Sequence, residues 1–219
     1  MGKKALIAGS TGLIGNELLK LLLNGEDYEQ VVAIVRRPLE VKHSKLVEKV
    51  VDFDRMDEYH EIFAVDDVFC CLGTTIKKAK TKEAMWKIDV DYPVEIARLA
   101  SSHGAHKFLL VSSMNANPES SIFYSKMKGQ LEVEIKKIPF DTTAIFRPSL
   151  LLGDRDEFRM GERAAAAIST KVPFLFAGPL RKYKPIEGRT VASAMYQVAQ
   201  KDAKGLTVYP SVEIHDISQ

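Results

Sequence analysis

Short apolar runs alternate with longer amphipathic stretches along this chain, and that alternation predicts most of its elements. Residues 5–8 form an apolar run of the kind that makes a strand buried on both faces. Residues 16–25 follow with a helical pattern stopped by Gly25. Further strands are predicted over 31–35, 49–54, 65–72, 107–111 and 142–146. Between the strands over 65–72 and 107–111, residues 83–102 repeat Met85, Ile88, Val94, Ile96 and Ala100 at helical intervals, with Pro93 placed to bend or interrupt the helix. Residues 121–137 carry another helical pattern, which Pro139 breaks. Strand and helix in alternation predict an α/β fold built on a doubly wound parallel sheet with right-handed crossovers.

After Leu152 the rhythm changes. A charged stretch over 154–159 gives way to an alanine-rich helix over 162–169 and an apolar, proline-punctuated loop over 172–179. Basic residues at 181–184, an amphipathic helix over 190–200 and a last strand over 206–209 complete the chain. We read residues 1–153 as the core and 154–219 as a small C-terminal cap with closing elements, in one integrated domain. Such a cap lies over the open end of the sheet, where α/β folds bind ligands.

Gly9, Gly12 and Gly15 join the first strand to the first helix. The first permits a tight turn, the second lets the backbone approach a pyrophosphate, and the third lets helix and strand pack closely. The helix N-terminus adds free N–H groups and a positive dipole end. With a strand before and a helix after, the loop from Gly9 through Ser10, Thr11, Gly12, Leu13 and Ile14 to Gly15 reads as a dinucleotide site. Arg36 and Arg37 end the second strand, where a binder of NAD carries an acid for the ribose 2′-hydroxyl. A guanidinium instead grips a 2′-phosphate, so NADP(H) is the expected cofactor and NAD(H) the less favoured one. The alternative is a solvated pair of charges. Asp52, followed by Phe53, stands where an adenine amino group lies in this type of sheet, or is a loop carboxylate with no ligand. Leu72, Gly73 and Thr74 follow the fourth strand, where a turn passes close to the cofactor.

Three further residues can move a proton to or from a carbonyl oxygen. Tyr124 and Lys128 lie four apart on a predicted helix and share a face. A phenol has a reference pKa of about 10, which a nearby ammonium lowers. Ser113, after the fifth strand, is placed to hold the substrate oxygen, and Ser112 competes with it for that role. An exposed tyrosine and lysine one turn apart is the plain alternative. The lysine-rich run over 77–82 reads as a solvated loop, and Trp86 and Tyr92 as core or helix contacts.

Composition narrows the setting. The 219 residues carry 31 basic and 29 acidic side chains, a net charge of +2, so no strong field favours nucleic acid or a membrane surface. Cys70 and Cys71 are adjacent on a predicted strand and point to opposite faces, which makes them core residues and poor disulfide partners. No metal-ligand spacing occurs. No stretch approaches the roughly 20 apolar residues that span a bilayer, and the N-terminus reads as a strand, not a signal peptide. A cytoplasmic, reducing setting is the expectation.

Taken together, Gly9-x-x-Gly12-x-x-Gly15, Ser112-Ser113, Tyr124-x-x-x-Lys128 and Phe146-Arg147-Pro148 resemble the short-chain dehydrogenase/reductase superfamily. The glycine spacing is similar to that of its extended and atypical branches. Cys71-Leu72-Gly73-Thr74-Thr75 and the stretch over 146–153 resemble the atypical group of the Tat-interacting protein 30 oxidoreductase. The resemblance implies a Rossmann fold, NADP(H) binding and a Ser113, Tyr124, Lys128 set. It further implies that Lys128 holds the nicotinamide ribose and that the backbone around Pro148 and Ser149, next to Arg147 of the same cofactor-binding stretch, borders the nicotinamide. The function implied is a reductase that reduces a carbonyl, with Tyr124 as proton donor. An epimerase-like enzyme on the same residues, or a redox-sensing NADP(H) binder without turnover, stays open. A small-molecule substrate, partly hydrophobic on the evidence of the loop over 172–179, is the expected partner, for a monomer or a homodimer.

Overall fold

The computed structural model describes residues 2–152 and 178–219. Its main sheet contains β1 (Lys3–Ala8), β2 (Tyr28–Val35), β3 (Leu46–Val50), β4 (Asp67–Cys70), β5 (Lys107–Val111), β6 (Thr142–Arg147) and β9 (Gly205–Pro210). The order is β3-β2-β1-β4-β5-β6-β9, and every neighbouring pair is parallel. A second ribbon pairs β7 (Leu151–Leu152) with β8 (Ile186–Glu187). The chain builds outward from β1 to β3, then returns to the other side of β1 with β4. Such a reversal of strand order opens a crevice at the carboxyl ends of the strands.

Alternation along the strands divides the core into two layers. Leu6 and Ala8 face one layer with Val68, Cys70, Phe108 and Leu110. Ala5 and Ile7 face the other with Phe69, Leu109 and Phe146. On the first face lie α4 (Tyr92–Ser102) and α5 (Phe123–Ile135), which bury Ile96, Ala100, Met127 and Leu131. On the second lie α1 (Leu13–Asn24) and α6 (Gly188–Gln200), which bury Leu18, Leu22, Val191 and Met195. Each fully buried side chain of this size contributes about 1.5–3 kcal/mol relative to exposure.

Of the stretch assigned to the cap, α6 packs on a sheet face, β9 extends the sheet beside β6, and α7 (Ser211–Ile217) closes the described chain. The alanine-rich helix over 162–169 and nearly all of the apolar loop over 172–179 lie outside the described residues.

Two local expectations change, and a third takes a definite form. The third strand is Leu46–Val50, not 49–54, because the Asp52 carboxylate accepts the Asp54 N–H at 3.0 Å and starts a 3₁₀ segment, Phe53–Phe63. The lysine-rich run is not a loop. It holds α2 (Ile76–Ala79) and the start of α3 (Lys82–Trp86), whose N-termini are capped by the Thr75 and Thr81 hydroxyls. The long helix after it is broken into α3, a π turn over Lys87–Asp91, and α4, with Pro93 in the first turn of α4. Proline cannot donate to the preceding turn and crowds it, and the wider π turn absorbs the misfit.

Cys70 and Cys71 are both free thiols. Burial pushes the Cys70 thiol up to about 11 and raises Cys71 as well, so neither is a reactive thiolate.

Gly129 lets α5 sit against the segment after β5. A Cβ there would lie 2.2 Å from the Pro118 nitrogen and 2.3 Å from the Asn117 carbonyl carbon. Gly129→Ala is therefore expected to destabilise the protein by about 1–3 kcal/mol through overpacking. Differential scanning calorimetry should show this as a Tm lowered by roughly 2–4 °C per kcal/mol. An unchanged Tm would mean that α5 is not seated this closely.

Candidate functional site

Parallel strands end at one edge of the sheet, and nearly all the residues singled out from the sequence follow those ends. At β1, Gly9 takes φ +87, a conformation that L side chains rarely adopt. A Cβ on Gly9 would meet the Cys71 carbonyl oxygen at 2.5 Å, and one on Gly15 would meet the Gly9 carbonyl oxygen at 2.1 Å. Both glycines are thus demanded by the protein itself. Gly12 differs: a Cβ there meets only the Gly9 oxygen, at 3.3 Å, and the residue lies exposed in an extended conformation.

Gly12 N–H donates to the Gly9 carbonyl at 3.0 Å, and the first intrahelical bond runs from Asn16 to Gly12 at 2.9 Å. The N–H groups of Leu13, Ile14 and Gly15 therefore have no helical acceptor. No side chain caps α1 and no acid stands in its first turn. Ile14 is buried in the core, and Leu13 lies under Gly188 of α6. Ser10 is 2% exposed, and its hydroxyl has no hydrogen-bond partner among the described residues. Thr11 is exposed beside it. An orphaned buried hydroxyl, free N–H groups and an uncrowded glycine fit a dinucleotide phosphate.

Arg36 and Arg37 are exposed at the end of β2, and neither forms an ion pair among the described residues. Arg36 stands near enough to Tyr92 to favour its phenolate, although burial and a bond to Asp54 keep that phenol above its ordinary range. Tyr92 donates to Asp54 at 2.6 Å, Lys87 pairs with the same carboxylate at 2.7 Å, and the Tyr92 ring rests 5.3 Å from that of Phe53. Lys87 and Tyr92 hold the Asp54 carboxyl below its ordinary value. Asp52 is engaged as a local cap and by Arg55 at 3.2 Å, while Phe53 is buried.

At β4, the Cys71 N–H donates to Ala8 at 2.8 Å and brings Leu72, Gly73 and Thr74 beside the glycine loop. The Thr74 N–H donates to Asp89 at 2.8 Å. The other oxygen of Asp89 lies 2.9 Å from the Lys128 ammonium, with Asp89 1% and Lys128 3% exposed. Burial disfavours the Lys128 ammonium, but Asp89, Tyr124 and Cys70 outweigh it, and its pKa is raised. Such a group contributes stability that is fully present below the ordinary lysine range and is lost only as pH rises through the higher folded value. Tyr124, one turn earlier on α5, is 41% exposed.

The two serines after β5 separate cleanly. Ser112 is buried and donates to Glu132 at 2.6 Å, and Arg147 clamps the same carboxylate at 2.8 and 2.6 Å. Ser113 is half-buried and has no such tie. The Ser112 hydroxyl is thus committed to Glu132, and no hydrogen bond to a described residue occupies the Ser113 hydroxyl. Arg147 is committed to Glu132, and the Ser149 hydroxyl donates to the Lys184 carbonyl and accepts from Ser211 at 3.0 Å. The buried Pro148 offers its carbonyl to the Met114 N–H at 3.1 Å. Sequence reasoning missed Asp89 and Glu132. No local signal marks them, since each has a second acid two residues on, Asp91 and Glu134.

Comparison with known proteins agrees with this architecture. Residues 5–214 match the model of the NAD dependent epimerase/dehydratase family. The rat protein HTATIP2 is 38% identical over 175 residues, 78% of this chain and 72% of that protein. The mitochondrial protein FMP52 of Debaryomyces hansenii is 35% identical over 204 residues, 90% and 88% of the two chains. Among solved structures, MoeE5 with UDP-glucuronic acid and NAD superimposes with a TM-score of 0.73 at 18% identity, over 94% of this chain and 75% of that one. The Bordetella bronchiseptica enzyme WbmH in complex with NAD+ gives 0.73 at 14% identity, over 96% and 76%. These bear out the Rossmann-type fold and the group anticipated from the motifs.

The cytoplasmic expectation does not stand. Relatives from Debaryomyces hansenii, Candida albicans and Candida glabrata are named as mitochondrial proteins. Two adjacent cysteines that are poor disulfide partners do not identify a compartment. No helix among the described residues is long and apolar enough to cross a membrane.

The contrast between the glycines yields a test. Gly12→Val should fold with a Tm close to wild type yet lose dinucleotide binding, because only the space left for a ligand is filled. Gly15→Val should fail to fold, since its side chain would run into the Gly9 carbonyl. Micromolar dinucleotide binding retained by Gly12→Val in calorimetry would place the phosphates elsewhere.

Proposed function

The chain belongs to the NAD-dependent epimerase/dehydratase family, and from that premise we propose that it is an NADP(H)-dependent oxidoreductase that reduces a carbonyl, with Tyr124 as proton donor. The observation that carries this reading is the Tyr124 phenol, 41% exposed one helical turn from a buried ammonium. No hydrogen bond to a described residue occupies its hydroxyl.

The free N–H groups of Leu13, Ile14 and Gly15, with the Ser10 hydroxyl, would hold the pyrophosphate. Arg36 and Arg37 would grip a 2′-phosphate with charge-assisted hydrogen bonds. When bound, the nicotinamide supplies the hydride. Ser113 Oγ orients the substrate oxygen. Tyr124 Oη gives its proton to that oxygen as negative charge develops there. The Lys128 ammonium stabilises the phenolate left behind, and because its pKa is raised it stays charged across the neutral range. Ile122, two residues before Tyr124, is 65% exposed, and Ile76, in the segment after β4, is 44% exposed. They support a small, partly hydrophobic substrate.

Two measurements test the reading. A ligand that binds only the folded state raises stability by RT ln(1 + [L]/Kd), so NADPH should raise the Tm more than NADH at equal concentration. Arg36→Ala should narrow the gap, removing a contact worth about 1.5–3 kcal/mol. Equal shifts for the two cofactors in the wild type would dismiss the NADP preference.

The second measurement follows a screen of carbonyl compounds read by NADPH oxidation. Tyr124→Phe should lower turnover of any hit by about 10²–10⁴-fold while leaving NADPH affinity nearly unchanged. Turnover within a few fold of wild type would remove Tyr124 from the mechanism.

A further inference from the structure

We propose that Asp89 is a positioning residue for this site: one carboxylate oxygen holds the Lys128 ammonium and the other holds the Thr74 N–H, fixing the loop after β4 and the tyrosine-bearing helix in one register. The inference rests on the functional reading above.

The geometry is specific. Asp89 sits in the π turn over Lys87–Asp91, the wide turn that precedes Pro93. Its two oxygens divide their work, with Oδ1 at 2.9 Å from Lys128 Nζ and Oδ2 at 2.8 Å from Thr74 N. Both side chains of the ion pair are almost wholly removed from water, so neither charge has solvent to fall back on. The charged or titratable groups that face Lys128 are Asp89 from the π turn, Tyr124 from α5 itself and Cys70 from β4. Asp89 is the one of these that forms an ion pair with Lys128, and burial holds the Cys70 thiol up at about 11.

Two consequences distinguish positioning from packing. Without the carboxylate, burial is no longer offset and the Lys128 ammonium gives up its proton at a lower pH. Contacts that need that charge, including any to a ribose hydroxyl or to the Tyr124 phenolate, then fade over the pH range in which they are stable in the wild type. A residue that merely filled space would lower affinity equally at every pH.

The experiment uses the cofactor-free protein with ¹³C-labelled lysine, Lys128→Met assigning the signal, and then NADPH itself as the probe. In the wild type the Lys128 Cε resonance should not titrate below the ordinary lysine range. In Asp89→Asn it should titrate at least about one pH unit lower than in the wild type. NADPH affinity, read by fluorescence, should be flat for the wild type between about pH 7 and 9 and fall about tenfold for Asp89→Asn over the same interval. Asp89→Ala, which also releases Thr74, should bind more weakly than Asp89→Asn at every pH.

Parallel titrations and parallel affinity profiles in wild type and Asp89→Asn would overturn the inference. Should Asp89→Asn fail to fold, a wild-type Lys128 that titrates below the ordinary lysine range overturns it as well. A wild type that binds neither NADPH nor NADH would instead refute the functional reading, and the lysine titration would still judge the Asp89–Lys128 pair by itself.

Discussion

Three stretches of backbone converge at Gly9, and the geometry of the site follows from that convergence. The Gly9 carbonyl lies where any Cβ on Gly15 would go, and the Cys71 carbonyl lies where any Cβ on Gly9 would go. β1, α1 and the exit of β4 can meet only because two of these residues lack side chains. The meeting point coincides with the reversal of strand order between β1 and β4. It therefore aims the N-terminus of α1 into the crevice that the reversal opens. Packing and binding are separate demands here, because Gly12, the glycine the fold needs least, is the one that faces outward.

The opposite wall of the crevice is built on charge. α5 carries a weak apolar stripe, and two of its buried residues are Lys128 and Glu132, 3% and 2% exposed. Lys128 ties the helix to the π turn through Asp89, and Glu132 ties it to β5 and β6 through Ser112 and Arg147. These two anchors, a single turn apart, set the rotation of the helix that carries Tyr124. The same arrangement separates the two serines: Glu132 takes Ser112 into the core, while Ser113 stays half-buried.

Elements whose information is local were legible in the sequence. The run over 5–8, the glycine triplet and the helix ending at Gly25 declare themselves, and the fifth strand falls on residues 107–111 as expected. Where the reading slipped, a side chain had competed with the backbone. Asp52 captures the Asp54 N–H and ends the third strand early, and Thr75 and Thr81 turn a lysine-rich run into two short helices. Asp89 and Glu132 were invisible for a different reason. Each gains its meaning from a partner 39 or 15 residues away, Lys128 and Arg147, and no local pattern encodes such a pairing.

The energetics of buried charge bear on why such pairs are present at all. Replacing a buried ion pair by well-packed apolar residues is often neutral or stabilising by about 1–4 kcal/mol, whereas removing one partner costs about 3–5 kcal/mol. Stability alone therefore does not account for Lys128 and Asp89. At the far edge of the sheet, Asp67 is also buried, yet it receives the Tyr28 hydroxyl at 2.6 Å and Lys3 at 3.5 Å, away from the crevice. Burial and Asp67 together raise the Tyr28 phenol, so that cluster keeps its proton and cannot exchange it at working pH. The Asp89–Lys128 pair differs in what adjoins it: an exposed phenol one helical turn away and a loop anchored by the same carboxylate. Apolar residues in their place would fill the same volume but could neither anchor the Thr74 N–H nor set a positive charge one turn from that phenol.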